Sequence, residues 1–132
     1  MNDIKLMNKA ADNIRILAAS MVEKAKSGHP GGAMGGADFV NVLFSEFLVY
    51  DPKNPAWEGR DRYFQDPGHM SPMLYSVLAL AGKFTIDELK EFRQWGSVTP
   101  GHPEVNVMRG IENTSGPLGQ GHTYAVGAAI AA

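Results

Sequence analysis

Apolar side chains recur every three or four residues in several stretches of the chain, which is the spacing of an amphipathic helix. The first stretch covers residues 4–25, and we expect its helix to end near Gly28. The apolar positions of this stretch are Ile14, Leu17, Ala18, Met21, Val22 and Ala25. A second helix is predicted over residues 39–48, where a broad apolar face stops before the Asp51-Pro52 turn.

Capping signals predict two further helices. Ser71 followed by Pro72 is typical of an N-cap with proline at the first helical position, and Gly82 would end that helix. Thr85 and Glu88 have the spacing of a capping box, in which both side chains bond to free backbone N–H groups. The large apolar residues that follow the box, before Gly96, are Leu89, Phe92 and Trp95.

Extended structure is predicted only in short pieces. Residues 62–65 have the pattern of a short strand that stops at Asp66, and a second extended piece is expected near residues 105–108. Prolines indicate loop for residues 51–62 and for most of residues 97–119. Residues 120–132 are small and apolar, as in the middle of a buried helix, and no capping residue ends them, so we expect this helix to continue beyond Ala132.

The composition is that of a globular chain, and it excludes several classes of function. With 132 residues, 44% of them hydrophobic and 20% charged, the chain has the size of one domain or a piece of one. A net charge of -2 and no basic stripe argue against nucleic-acid binding. The absence of cysteine excludes disulfides and thiolate chemistry. Because neither a signal peptide nor a membrane-spanning apolar run is present, we expect a soluble, cytoplasmic protein that does not enter a membrane.

Each of the four histidines directly follows a glycine; they are His29, His69, His102 and His122. With 15 glycines in the chain, chance would give this arrangement on the order of once in several thousand shuffles. Glycine lets a loop approach a ligand closely, and imidazole both donates and accepts hydrogen bonds near neutral pH. Loops that converged would therefore suit a phosphorylated, polyhydroxylated substrate. The alternative is that each pair is only a turn with a polar tip.

A glycine-rich loop at residues 116–121 is predicted to lead into a helix N-terminus, whose free amides favour an anion or a polar ring. The alternative is a helix entry whose glycines serve close packing. The order of these glycines is the reverse of the dinucleotide-binding fingerprint, and GxSxG, GxxxxGK and HExxH motifs are missing from the sequence. The absence of these motifs argues against a nucleophile-elbow hydrolase, a P-loop enzyme and a zinc protease.

Four motifs in a fixed order carry a resemblance to a known family. They are residues 26–32 (KSGHPGG), the Gly68-His69 pair, residues 99–104 (TPGHPE) and residues 116–121 (GPLGQG). Together they resemble the N-terminal part of transketolases, which use thiamine diphosphate, and the resemblance covers essentially the whole chain. It implies an α/β, thiamine-diphosphate-binding fold. Residues 1–132 would be the N-terminal portion of the diphosphate-binding domain, truncated at its C-terminus and mostly helical with few short strands.

The resemblance also implies roles for particular residues. His29 and His102 would contact sugar hydroxyls near the reacting carbonyl, and His29 would be the catalytic residue that assists proton movement. His69 would hydrogen-bond the cofactor diphosphate. The residues that would line the cofactor rings are Gly116, Pro117 and Leu118.

The implied reaction is the reversible transfer of a two-carbon ketol unit between ketose and aldose phosphates, which belongs to the pentose phosphate pathway. The cofactor would supply the nucleophile and the electron sink. The implied assembly is a homodimer in which each active site lies between the diphosphate-binding domain of one subunit and the pyrimidine-binding domain of the other.

Two features depart from the family pattern. His122, Thr123 and Tyr124 follow residue 121, where the family often has aliphatic residues, and we expect His122 at the surface or behind the site, without a role carried over from the family. The Gly-Asp-Gly motif and the asparagine that hold a divalent metal (Mg²⁺ or Ca²⁺) are absent, as is the glutamate that activates the cofactor. The metal would therefore be bound by residues outside this segment.

The sequence leaves three hypotheses. The main one is an N-terminal segment of a transketolase that is inactive by itself. The second is a non-catalytic binding or assembly module derived from this domain, with its apolar end as a contact surface. The third is part of a related deoxyxylulose-phosphate synthase-type enzyme.

Overall fold

Six α-helices carry most of the regular structure in the computed structural model, which describes residues 2–132. They are α1 (Ile4–Ala25), α2 (Pro30–Gly35), α3 (Ala37–Val42), α4 (Ser71–Leu80), α5 (Ile86–Lys90) and α6 (Gln120–Ala131). A π-helical turn, Leu43–Phe47, continues α3, and 3-10 turns cover Gly68–Met70 and Val107–Arg109. Within residues 2–132, β pairing is limited to one bridge between Asn106 and Ile111. The segment is therefore mostly helical, as the sequence indicates.

Helix α1 confirms the prediction for residues 4–25. Its N-cap is Asp3, whose carboxylate accepts a hydrogen bond from the Lys5 N–H, and it ends at Lys26 in the left-handed conformation. The side chains buried along its inner face are Ala11, Ile14, Ala18 and Met21. Together, the helices of residues 2–132 include none that is both long and apolar enough to cross a bilayer.

Helix α4 lies at the centre of the core. All of residues 71–78 are buried, and helices α1, α2, α3 and α5 pack around them. Tyr75 packs against the rings of Phe84 and Phe92, with ring centroids 5.4 and 6.3 Å apart. Burying one large apolar side chain stabilises a fold by about 1.5–3 kcal/mol, so this helix fixes the relative positions of the elements around it.

The helix predicted over residues 39–48 exists, but it is divided and only partly buried. It begins at Ala37, and its last turn is the π-helical Leu43–Phe47. Val40 and Phe44 enter the core, whereas Phe39 and Phe47 stay exposed. The apolar face is broader than the surface available to it among the other helices.

The prediction of a strand at residues 62–65 is wrong, because no backbone within residues 2–132 forms a ladder with this segment. Side chains take the place of a strand partner: the Asn113 amide oxygen accepts from the Gln65 N–H at 3.0 Å. The Asn113 amide and the Ser115 hydroxyl then donate to the Gln65 carbonyl oxygen, at 3.3 and 2.9 Å. The backbone of the buried Gln65 is thus satisfied without a sheet.

Two capping predictions have different outcomes. The box between Thr85 and Glu88 is present with both hydrogen bonds, and Glu88 also binds Arg109. The hydrogen bond from Arg109 is the main cause that lowers the pKa of Glu88 to about 2. Ser71, however, is the first residue of α4 and not its N-cap, because its hydroxyl donates to the Gly101 carbonyl oxygen at 2.7 Å. Trp95 is fully exposed beyond the end of α5.

Helix α6 forms where the sequence predicts it, but it is not buried within residues 2–132. Among its residues only Gly121 is buried, and Ile130 is 82% exposed. The first turn of α6 lies against the Gln65-Asp66 segment, since a Cβ added to Gly121 would stand 2.4 Å from the Asp66 Cβ. The prediction of a buried helix is therefore wrong for this part of the chain.

Replacing Gly121 with alanine should destabilise the protein, because the new Cβ would also lie 2.8 Å from the Gln65 carbonyl oxygen. Overpacking of this kind costs about 1–3 kcal/mol. The matched control is Gly127→Ala in the same helix, where an added Cβ meets nothing within 4 Å and should stabilise α6 by up to about 1 kcal/mol. Urea unfolding measures both free energies, and equal values for the two variants would contradict this packing.

Candidate functional site

His29 lies at the junction of α1 and α2. It is the N-cap residue of α2, in an extended conformation, and follows Gly28, whose φ is +128°. A Cβ on Gly28 would stand 3.1 Å from Val22 and 3.2 Å from Phe92, so glycine is needed here for both conformation and space. The tight turn directs the chain away from α1 and leaves the His29 residue exposed.

His69 lies beside His29. Its 3-10 turn leads directly into α4, and the two imidazole centroids are 4.6 Å apart with their planes tilted by 44°. A Cβ on Gly68 would be 2.8 Å from the Ser115 hydroxyl oxygen and 3.0 Å from the Gly116 nitrogen. The missing side chain therefore lets the His69 turn pack directly against the start of the 116–119 loop.

His102 belongs to the same cluster. Its loop is held by α4, where the Ser71 hydroxyl binds the Gly101 carbonyl and the Tyr75 hydroxyl donates to the Pro100 carbonyl oxygen at 2.9 Å. Desolvation by the surrounding protein lowers the pKa of His102, and the charges of Arg93, His69 and His29 lower it further. Burial and these neighbouring groups therefore favour a neutral His102 at pH 7.

Arg93 is a site residue that the sequence did not reveal. It has a positive φ of 63°, and its Nη1 donates to the Ser27 hydroxyl at 2.9 Å. Its guanidinium also lies against Gly101, where an added Cβ would stand 2.8 Å from Nε. In the part of the chain that the structure describes, this Nε is buried without a hydrogen-bond partner. Arg93 therefore links the loops that carry two of the histidines, and no motif around it distinguishes it from a surface arginine.

An open cleft extends from this arginine. Its walls include Ser27, Arg93, Gly101, His102 and Glu104. A positively charged, a negatively charged and several polar groups therefore face the cleft. A different cavity, with mainly apolar walls, lies between Phe44, Tyr63 and Leu78 and is bordered by none of the histidines. Of the four histidines, His102 therefore borders the cleft, beside Arg93 and Glu104.

The 116–119 loop leads into α6, as predicted. Gly119 has a φ of +89° and is the N-cap residue, and its N–H donates to the Asp66 Oδ2 at 2.9 Å. Leu118 is 71% exposed, and a Cβ on Gly116 would meet nothing within 4 Å. The loop thus presents backbone groups and one apolar side chain beside the turn that carries His69.

His122 does not share the contacts of the other three histidines. Its side chain is 80% exposed, and its Nδ1 lies 2.7 Å from the Asp66 Oδ2. The expected surface position is correct, and Asp66 is a partner that the sequence analysis did not identify.

The residues present match one side of a thiamine-diphosphate site. An open loop with an exposed leucine can contact an aromatic ring, and the imidazoles beside it can bind phosphate or hydroxyl oxygens. Within residues 2–132, His, Asp and Glu side chains do not form a group of three or more that could hold a metal ion.

Comparison with known proteins gives the family. The family model for the thiamine diphosphate binding domain of transketolase matches residues 6–132. The chain belongs to the transketolase family. It is 54% identical, over 127 residues, to a transketolase of Buchnera aphidicola, a match that covers 96% of this chain and 19% of that protein.

Solved transketolases have the same fold. The structure from Leishmania mexicana superimposes with a TM-score of 0.90 at 50% identity, covering 95% of this chain and 19% of that one. A Pichia stipitis transketolase in complex with sedoheptulose 7-phosphate gives a TM-score of 0.90 at 45% identity, covering 95% of this chain and 18% of that one. The chain therefore spans about a fifth of the length of the transketolases that it matches.

Replacing Arg93 with glutamine should raise the pKa of His102, because a positive neighbour that disfavours imidazolium is removed. NMR titration of the histidine ring protons measures this pKa. Arg15→Gln, in the middle of α1, is the matched loss of a positive charge and should leave the His102 titration unchanged. An unaltered His102 pKa in the Arg93 variant would contradict the electrostatic link.

Proposed function

We propose that this chain is the N-terminal segment of the diphosphate-binding domain of a transketolase. The full enzyme would transfer a two-carbon ketol unit reversibly between ketose and aldose phosphates. The observation that carries the proposal is the convergence of His29, His69 and His102 beside the exposed 116–119 loop. Four separate motifs of the sequence supply these groups, and a transketolase neighbour was solved with a sugar phosphate.

Thiamine diphosphate is the proposed cofactor. His69 would donate a hydrogen bond to a diphosphate oxygen, and the 116–119 loop would line the rings through the backbone of Gly116 and Pro117 and the side chain of Leu118. The exposure of Leu118 supports this assignment, since an apolar ring would cover it. A divalent metal, Mg²⁺ or Ca²⁺, would neutralise the diphosphate and would be held by residues outside this segment.

The histidines would orient the sugar and move protons. His102, kept neutral by its surroundings, can donate from one ring nitrogen and accept at the other, which suits binding of a sugar hydroxyl. His29 would bind the hydroxyl nearest the reacting carbonyl and exchange a proton with that oxygen, as the catalytic residue. When bound, thiamine diphosphate supplies the nucleophile and the electron sink. The protein supplies position and electrostatics.

The proposal extends to assembly and cellular setting. A homodimer would complete each site with the pyrimidine-binding domain of the partner, and the enzyme would act in the pentose phosphate pathway in the cytoplasm. The exposed apolar residues of α6 and α3 support further packing partners, because a large exposed apolar surface usually marks an interface.

A coupled assay tests the proposed reaction. The full-length gene product, supplied with thiamine diphosphate and Mg²⁺, should move a two-carbon unit from a ketose phosphate to an aldose phosphate. The 132-residue chain alone should show no transfer. Activity of the chain alone would contradict its role as an inactive segment, and an inactive full-length protein would favour the binding-module hypothesis. Condensation of pyruvate in place of ketol transfer would favour the synthase hypothesis.

Single histidine variants of the full-length protein should separate two roles. His29→Ala should lower kcat by about 10²–10⁴-fold, because a proton-transfer group is lost. His69→Ala should mainly raise the concentration of thiamine diphosphate that gives half-maximal activity. Lys9→Ala, on the exposed side of α1, is the control and should change neither quantity. Equal effects of the two histidine variants on kcat and on cofactor demand would contradict the separate assignments.

A further inference from the structure

A buried carboxylate lies under the first turn of α6. The Asp66 side chain is 5% exposed, and its Oδ2 receives two contacts: the Gly119 N–H at 2.9 Å and the His122 Nδ1 at 2.7 Å. Its Oδ1 is buried and has no hydrogen-bond partner among residues 2–132. A carboxylate in this position is stabilised by the N-terminal end of the helix dipole and by donors that reach it directly.

The position of Asp66 along the chain connects two parts of the candidate site. It lies three residues before His69, in the segment that leads into the His69 turn. Its Gly119 partner ends the 116–119 loop, which carries the proposed ring contacts. The Asp66 carboxylate therefore connects two segments. One supplies the proposed diphosphate contact, and the other supplies the proposed ring contacts.

His122 supplies the second donor. With Nδ1 beside Oδ2, the carboxylate favours the tautomer that carries its hydrogen on Nδ1, so the imidazole donates whether it is neutral or protonated. Within residues 2–132, His122 is the one side chain that lies within hydrogen-bond distance of the Asp66 carboxylate. Loss of His122 would leave the Asp66 carboxylate with the Gly119 N–H as its remaining donor. Burying a carboxylate with few donors costs free energy, so both contacts matter.

We propose that Asp66 and His122 are positioning residues that fix the 116–119 loop relative to His69 and thereby set the affinity for thiamine diphosphate. The pair acts through the backbone of Gly119 and touches no reacting group. The inference rests on the proposed function in one respect, namely that His69 and this loop hold the cofactor. It also gives His122 a role at the position where the family often has an aliphatic residue.

The test measures the dissociation constant of thiamine diphosphate, at fixed Mg²⁺, for the full-length apoenzyme and its variants by fluorescence quenching. His122→Ala should weaken binding about two- to fivefold, since the side chain is largely exposed. Asp66→Ala should weaken it about tenfold or more, because the Gly119 N–H also loses its acceptor. For both variants, kcat at saturating cofactor should stay within about twofold of the wild-type value.

Two further variants separate positioning from general stability. His122→Asn places an amide N–H near the position of Nδ1 and should restore most of the lost affinity. Thr123→Ala, one residue along in the same turn, removes only a hydrogen bond to the Gln120 carbonyl within α6 and should bind the cofactor like the wild-type protein. Because His122 and Thr123 are exposed, these variants test the inference even if Asp66→Ala fails to fold.

The contrary outcomes are distinct. Unchanged affinity in His122→Ala, an equal loss in Thr123→Ala, or a fall in kcat with unchanged affinity would each overturn the positioning role while leaving the proposed function intact. A wild-type apoenzyme that binds no thiamine diphosphate would overturn the proposed function and this inference together.

Discussion

The packing of the N-terminal half of helix α4 against its surroundings is the constraint on which the candidate site depends. The His69 turn runs directly into this helix, and the hydroxyls of Ser71 and Tyr75 hold the loop that carries His102. Helix α2 begins after His29; its Gly32 approaches Met70 closely, and Gly36, directly after the helix, approaches Met73. Since residues 71–78 are buried, the three imidazole loops are attached to the helix at the centre of the core.

Glycine serves two physical purposes in this fold. Cβ atoms on Gly32 and Gly36 would stand 3.0 and 2.5 Å from the sulfur atoms of Met70 and Met73, so these glycines permit close helix packing. At Gly116, by contrast, the space around the missing side chain is open, which suits the approach of a ligand. The glycines of this chain therefore serve helix packing at some positions and leave room for a ligand at others.

The two sides of the candidate site contain charged residues of opposite sign. Arg93 stands beside His102 and favours a neutral imidazole, which can exchange hydrogen bonds with hydroxyl groups. Asp66 lies beside His122 and the start of α6, where a carboxylate orders the backbone of the 116–119 loop. The first arrangement tunes a side chain that would meet the substrate, and the second orders a loop that would meet the cofactor.

The sequence by itself determined every α-helix except α2, together with the capping box and the Gly-His motifs, because helix periodicity, capping and glycine loops depend on residues close together in the chain. Its motifs also indicated the family. Tertiary structure decided which loops met, that Asn113 and Ser115 bound the backbone of Gln65 in place of a strand partner, and that Ser71 held a loop instead of capping a helix. Tertiary structure also placed Arg93 and Asp66 at the candidate site, beside partners that lie 66 and 56 residues away in the chain. Such contacts leave no local pattern, since they depend on how the helices pack around α4.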